Sequence, residues 1–144
     1  MIQLDRQQLV LMLEVGYIYV GMKRFKEARQ VFEGVHLLAP KSDVPIIALG
    51  GVAFCEGDFK KAIQFYHKAL KAMPESIFAK AYLGEALLFS GKVEEGKQCL
   101  SEVKKTDPKG AAGHFADTLL KAVAQGFDPQ EKSEGKKRHV KKAH

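Results

Sequence analysis

The sequence predicts an all-α fold made of three helical hairpins stacked in a row. Three sets of markers carry this. Gly16, Gly50 and Gly84 stand 34 residues apart, as do Ala28, Ala62 and Gly96, and as do Pro40, Pro74 and Pro108. Apolar residues recur at helical spacing between the markers. The clearest unit, 43–74, reads as two helices joined at Glu56-Gly57-Asp58 and closed by Pro74. A hairpin of this kind cannot bury its apolar face alone, so the period implies stacking of neighbours around a continuous core.

The elements follow in order. Asp5 reads as the N-cap of a first helix that runs to about Val20. A second helix runs from about Arg24 to Leu37, and the next pair covers about Asp43–Cys55 and Phe59–Ala72. The third pair covers about Ile77–Phe89 and Val93–Lys105. Gly57 and Gly91 mark the turns inside the second and third hairpins, with Gly21 near the corresponding turn of the first. Each proline keeps the residue before it out of the helical region, so the second helix of each pair ends there. A glycine inside a helix costs about 1 kcal/mol against alanine. Gly16, Gly50 and Gly84 therefore imply a second helix that passes too close for a Cβ, with Ala28, Ala62 and Gly96 as its small surface. Phe115, Leu119 and Val123 indicate a further helix, about 111–125. Asp117 and Thr118 stand where another repeat would need an apolar residue and a glycine, so this helix is read as a cap on the stack.

These markers resemble the tetratricopeptide repeat pattern W-x2-L-G-x2-Y…A-x3-F…P. The middle repeat carries it as Ile46, Leu49, Gly50, Ala53, Ala62, Tyr66 and Pro74. The first carries Met12, Val15, Gly16, Tyr19, Ala28, Phe32 and Pro40, and the third Lys80, Leu83, Gly84, Leu87, Gly96, Leu100 and Pro108. The third departs furthest, with Lys80 and Leu100 at positions where large aromatics are usual. The resemblance implies a right-handed superhelical stack: a repeat domain over 1–128, with repeats at about 9–42, 43–76 and 77–110 and the capping helix after them. Residues 129–144 lose the apolar pattern and are expected to be a basic disordered tail.

The net charge of +6 is concentrated in that tail, where 130–144 hold six basic and two acidic residues. The tail is read as solubilising, and nucleic acid is not an expected partner. Cys55 and Cys99 have no metal or redox spacing and read as reduced core or near-core thiols of a cytosolic protein. The N-terminus MIQLDRQQ does not read as a secretory segment, and Leu9–Met22 is too short to span a bilayer, so no membrane is expected. There is no phosphate-binding loop and no metal-ligand spacing. His36, His67 and His114 stand singly. No enzyme activity and no cofactor are expected.

The second helices have one wet face, but the first helices have two apolar faces. One is the packing face, Met12, Val15, Gly16 and Tyr19 in the first hairpin. The other holds Val10, Leu13, Tyr17 and Val20; then Val44, Ile47, Gly51 and Phe54; then Phe78, Ala81, Tyr82, Leu88 and Phe89, with Glu85 among them. In tetratricopeptide proteins the first helices line the concave surface. This second face is thus expected to form an apolar groove, lined most visibly by Tyr17, Phe54, Phe78, Tyr82 and Phe89. Such a groove suits an amphipathic helix with anchors at i, i+3 or i+4, and i+7. Glu85 either pairs with a Lys or backbone donor of that ligand or tilts to solvent.

Some tetratricopeptide proteins bind the C-terminal carboxylate of heat-shock chaperones through Lys, Asn and Arg. The comparable places here hold Leu13, Tyr17, Ala48, Phe78 and Tyr82, so that clamp is absent. A small chain with an aromatic, uncharged groove is instead similar to the bacterial type III secretion chaperones, closest in size to those that hold the needle subunit. This resemblance implies a bacterial cytoplasmic chaperone that shields an amphipathic helix of a secreted subunit from premature polymerisation, with a small helical co-chaperone as a further partner. The alternatives are a translocator chaperone of the same systems and a general scaffold or homodimer that buries the groove against itself.

Overall fold

The structure, a computed structural model, describes residues 5–130. These form α1 (Arg6–Gly21), α2 (Phe25–Leu38), α3 (Val44–Cys55), α4 (Phe59–Ala72), α5 (Ile77–Phe89), α6 (Val93–Thr106) and α7 (Ala111–Ala124), with no strand among them. Asp5 caps α1 as expected: its carboxylate accepts from the Gln8 N–H at 2.8 Å, and the Gln8 side chain accepts from the Asp5 N–H at 2.8 Å. Asp58 caps α4 through the Lys61 N–H at 3.1 Å. The chain divides into two compact units, Met1–Ala79 and Lys80–His144, with the division inside α5. Each hairpin touches mainly its neighbours in such a fold, which makes contact boundaries local.

The turn inside each hairpin repeats to the atom. The Lys23 N–H donates to the Val20 carbonyl and the Arg24 N–H to the Tyr19 carbonyl. The same two bonds recur as Gly57 to Phe54 and Asp58 to Ala53, and again as Gly91 to Leu88 and Lys92 to Leu87. This Schellman arrangement requires one left-handed residue, and Lys23, Gly57 and Gly91 have φ of 60°, 81° and 92°. Gly21, expected near the turn of the first hairpin, is the last residue of α1, and the 34-residue period puts Lys23 at the turn. The second helices give way at Ala39, Met73 and Asp107, whose ψ of 66°, 89° and 61° lies outside the helical range ahead of each proline.

In the N-terminal unit, Ala28, Phe32, Ala48, Leu49 and Val52 form one core cluster, and Ile46, Ala69 and Ala79 a second. A Cβ on Gly16 would overlap the Phe32 ring, and one on Gly50 would overlap the Tyr66 ring. The helix-internal glycines are therefore fixed by close approach, as the sequence implies. Cys55 departs from expectation: it ends α3 at the turn and is exposed.

In the C-terminal unit the same contact is made with an aliphatic side chain. A Cβ on Gly84 would lie 2.7 Å from Leu100 Cγ, and one on Gly96 would lie 2.9 Å from the Gly84 carbonyl oxygen. Leu100 is fully buried and fills the place taken by Phe32 and Tyr66 in the other hairpins. The α7 helix buries Ala112, Gly113 and Ala116 and leaves His114, Thr118 and Lys121 exposed. Asp117 lies 2.9 Å from both Lys104 and Lys121. Pro129 is buried and Gln130 is helical, so these two residues of the expected tail are ordered; the rest of it lies outside the described residues.

Adjacent glycines should respond oppositely to alanine. A Cβ on Gly51 meets nothing within 4 Å. Gly51→Ala should stabilise the protein by up to about 1 kcal/mol in urea unfolding, and Gly50→Ala should destabilise it by about 1–3 kcal/mol through overpacking. Lys23→Gly should raise the urea midpoint, with a gain of about 1 kcal/mol from relief of the left-handed backbone.

Candidate binding face

The helix-internal glycine sets the rotation of each first helix. Residues three before and four after it share its face, and those six before and one after it point away. On the packing side are Leu13 and Val20 for Gly16, Ile47 and Phe54 for Gly50, and Ala81 and Leu88 for Gly84. On the outward side are Val10 and Tyr17, Val44 and Gly51, and Phe78 and Glu85.

Burial follows this division. Val10 is 45% exposed, Tyr17 51%, Val44 43% and Phe78 46%, and all four lie in the N-terminal unit. Space next to Gly51 is open. Leu13 and Val20 are half-buried against the first core cluster and Ile47 against the second. Phe54 is half-buried with its ring centroid 5.1 Å from that of Phe59. Ala81, expected on the open face, is fully buried in the core. The exposed face is accordingly narrower than expected, because the positions three before and four after each glycine are turned toward the second helix.

In the C-terminal unit, Tyr82 is half-buried with its ring 5.5 Å from Phe115 of α7, and Phe89 is half-buried with its ring 6.5 Å from Phe127. Glu85 lies between them on α5, one helical turn from each. Its carboxylate has no hydrogen-bond or ion-pair partner among the described residues. Burial pushes this carboxyl up to about 7. The neighbouring Lys80 is engaged elsewhere, in an ion pair with Glu102. On α1, Glu14 shares the outward face, four residues after Val10 and three before Tyr17, and it is exposed. Arg6, four residues before Val10, is exposed on the same side, so α1 carries one charge of each sign there.

One feature of α1 is absent from the expected site. Leu11, Val15, Ile18 and Met22 are 60%, 39%, 61% and 56% exposed. Their spacing of four, three and four places them in one stripe along the helix. That spacing is visible in the sequence, but only burial separates an open stripe from a packed one. Val15, assigned to the packing face, belongs to this stripe.

No helix among the described residues is long and apolar enough to cross a membrane. Residues 53–123 match the family model of the tetratricopeptide repeat. The BBSome complex member BBS4 of Bos taurus is 28% identical over 115 residues, covering 79% of this chain and 22% of that protein. The chain thus spans about a fifth of the length of this curated relative. Among solved structures, the type III secretion translocator chaperone SycD of Yersinia enterocolitica matches with a TM-score of 0.72 at 16% identity, over 82% of this chain and 91% of that one. SycD in complex with a peptide of the translocator YopD matches at 0.69 and 15%, over 84% and 95%. The first tetratricopeptide domain of Spaghetti (RPAP3), bound to the HSP90 peptide SRMEEVD, matches at 0.69 and 21%, over 87% and 97%. Residues 53–123 thus carry the tetratricopeptide repeat signature, and the fold of the chain is that of the tetratricopeptide structures it matches. Within that class, its fold resembles the type III secretion chaperones.

The Glu85 carboxyl links folding to pH. An unfolded glutamate loses its proton near pH 4.5, whereas the folded chain keeps it to about 7. Stability from this group is full below pH 4.5 and falls as pH rises through 7, by up to about 3 kcal/mol. Urea titrations across this window should show that slope in the parent protein, and Glu85→Gln should flatten it.

Proposed function

We propose that this protein is a chaperone that takes one amphipathic helix of a partner on the outward face of its first helices. The observation that carries the reading is the set Val10, Val44 and Phe78, apolar and exposed at equivalent positions of successive hairpins, with Tyr17, its ring 5.1 Å from that of Phe32, half-exposed seven residues after Val10. Exposed apolar side chains in a periodic row are the mark of a helix-docking surface. Each anchor buried on such a surface contributes roughly 1.5–3 kcal/mol. Loss of translational and rotational freedom offsets much of that sum, so flanking contacts decide the affinity.

The positions compared with the carboxylate clamp, Leu13, Tyr17, Ala48, Phe78 and Tyr82, carry no cation. This favours an apolar helix over a C-terminal acidic peptide of the kind bound by Spaghetti. SycD in complex with a translocator peptide supports peptide binding by this fold. In the finer reading the partner is the needle subunit of a type III secretion system, whose self-assembling helix is held until export. A translocator is the rival partner.

The stripe of Leu11, Val15, Ile18 and Met22 supports a second association, with a small helical co-chaperone or a second copy of the chain. It lies on a different side of α1 from Val10 and Tyr17, so both associations fit one chain at once.

Val44 and Phe78 stand in the first turns of α3 and α5, where a carboxylate is favourable to the helix. Val44→Glu combined with Phe78→Glu should leave the fold intact and weaken binding of a co-purified needle subunit by about 100-fold, the loss of two anchors. Full affinity in the double variant removes the face from the account. Binding of a translocator but not a needle subunit by the parent protein keeps the face and changes the partner.

A further inference from the structure

The charged residues of α5 are Lys80 and Glu85. Lys80 is held by Glu102, while Glu85 has no partner among the described residues; α1 carries both Arg6 and Glu14 on the side of Val10, and α3 has no charge. The two carboxylates differ in setting. Glu14 is exposed and solvated. Glu85 is largely enclosed on α5, with buried Ala81 and Leu88 beside it and with Tyr82 and Phe89 one turn to either side. The rings of those two residues are braced by Phe115 and Phe127, which holds the walls of this position in place.

A carboxylate in such a place costs free energy when charged and alone. Nothing in the packing of α5 requires an acid there: the equivalent position in the other hairpins is Tyr17 or Gly51. A ligand that is apolar throughout would seal Glu85 away from water without a partner. A ligand helix with a Lys or Arg in its apolar stripe would supply the missing charge. Its aliphatic stem would lie along the Tyr82 and Phe89 rings, and its cationic head would reach the carboxylate. The backbone donors of a ligand helix are consumed internally beyond its first turn, so a side-chain cation is the fitting group.

Resting on the chaperone reading above, we propose that Glu85 selects the ligand: the bound amphipathic helix presents a Lys or Arg within its apolar stripe, and this cation pairs with Glu85 in the complex. The selection works by exclusion as well as attraction, because an uncharged stripe leaves the carboxylate unpaired. Tyr82 and Phe89 are the positioning residues of the pair.

The test is a double-mutant cycle by calorimetry at neutral pH and low salt. The probes are two synthetic amphipathic helical peptides, identical except for Lys or Met at the centre of the apolar stripe. The parent protein should bind the Lys peptide about tenfold or more tightly than the Met peptide. Glu85→Gln should abolish or reverse that preference, with its helical circular dichroism unchanged. A merely structural role for Glu85 would alter both affinities equally and leave their ratio as it was. An equal affinity of the parent protein for the two peptides, or a ratio unchanged in Glu85→Gln, overturns the selection by Glu85 and leaves the docking face standing. Binding of neither peptide removes both.

Discussion

The structure depends on one steric contact made three times. In each hairpin the first helix brings a glycine against a bulky side chain of the second: Gly16 against Phe32, Gly50 against Tyr66, Gly84 against Leu100. A methyl group at any of these points would overlap its neighbour. The helices approach this closely because the side chains opposite are large and buried at the seam. The cost of glycine in a helix is about 1 kcal/mol, and it is offset by burial of rings and methyls that contribute roughly 1.5–3 kcal/mol each. Leu100 shows that the contact needs volume rather than aromaticity.

That contact also decides which residues meet solvent. Once the glycine is pinned, the rotation of the helix leaves no freedom to the rest of its surface. Val10, Val44 and Phe78 occupy one outward position in three successive first helices, and all are exposed. Tyr17, Gly51 and Glu85 occupy the other, seven residues on. The outward face is thus a by-product of packing geometry, and its chemistry is free to vary without disturbing the core. In the N-terminal unit it takes the form of exposed Val10, Val44 and Phe78.

Much of this was legible in the sequence. The helix limits expected from periodicity, proline and glycine agree with the structure to within one or two residues, because each limit rests on a local backbone requirement. The turn of the first hairpin lies near Gly21, as the sequence indicates, and it is Lys23 that bears the left-handed backbone that glycine bears elsewhere. The face was drawn too wide. Leu13, Val20, Ile47 and Ala81 are apolar like their neighbours, and only their spacing from the glycine assigns them to the packing side. The open stripe of Leu11, Val15, Ile18 and Met22 has the pattern of a buried seam, and sequence alone does not state whether anything lies against it.

The account turns on where a partner helix touches the chain. Methyl-resolved NMR on the parent protein, titrated with a purified partner subunit, reads this directly. The account predicts that the methyl signals of Val10 and Val44 shift on binding, whereas those of buried Val52 and Leu100 stay within the range of small relayed changes. Shifts confined to the outer residues of α2 and α4, with Val10 and Val44 unmoved, would contradict it.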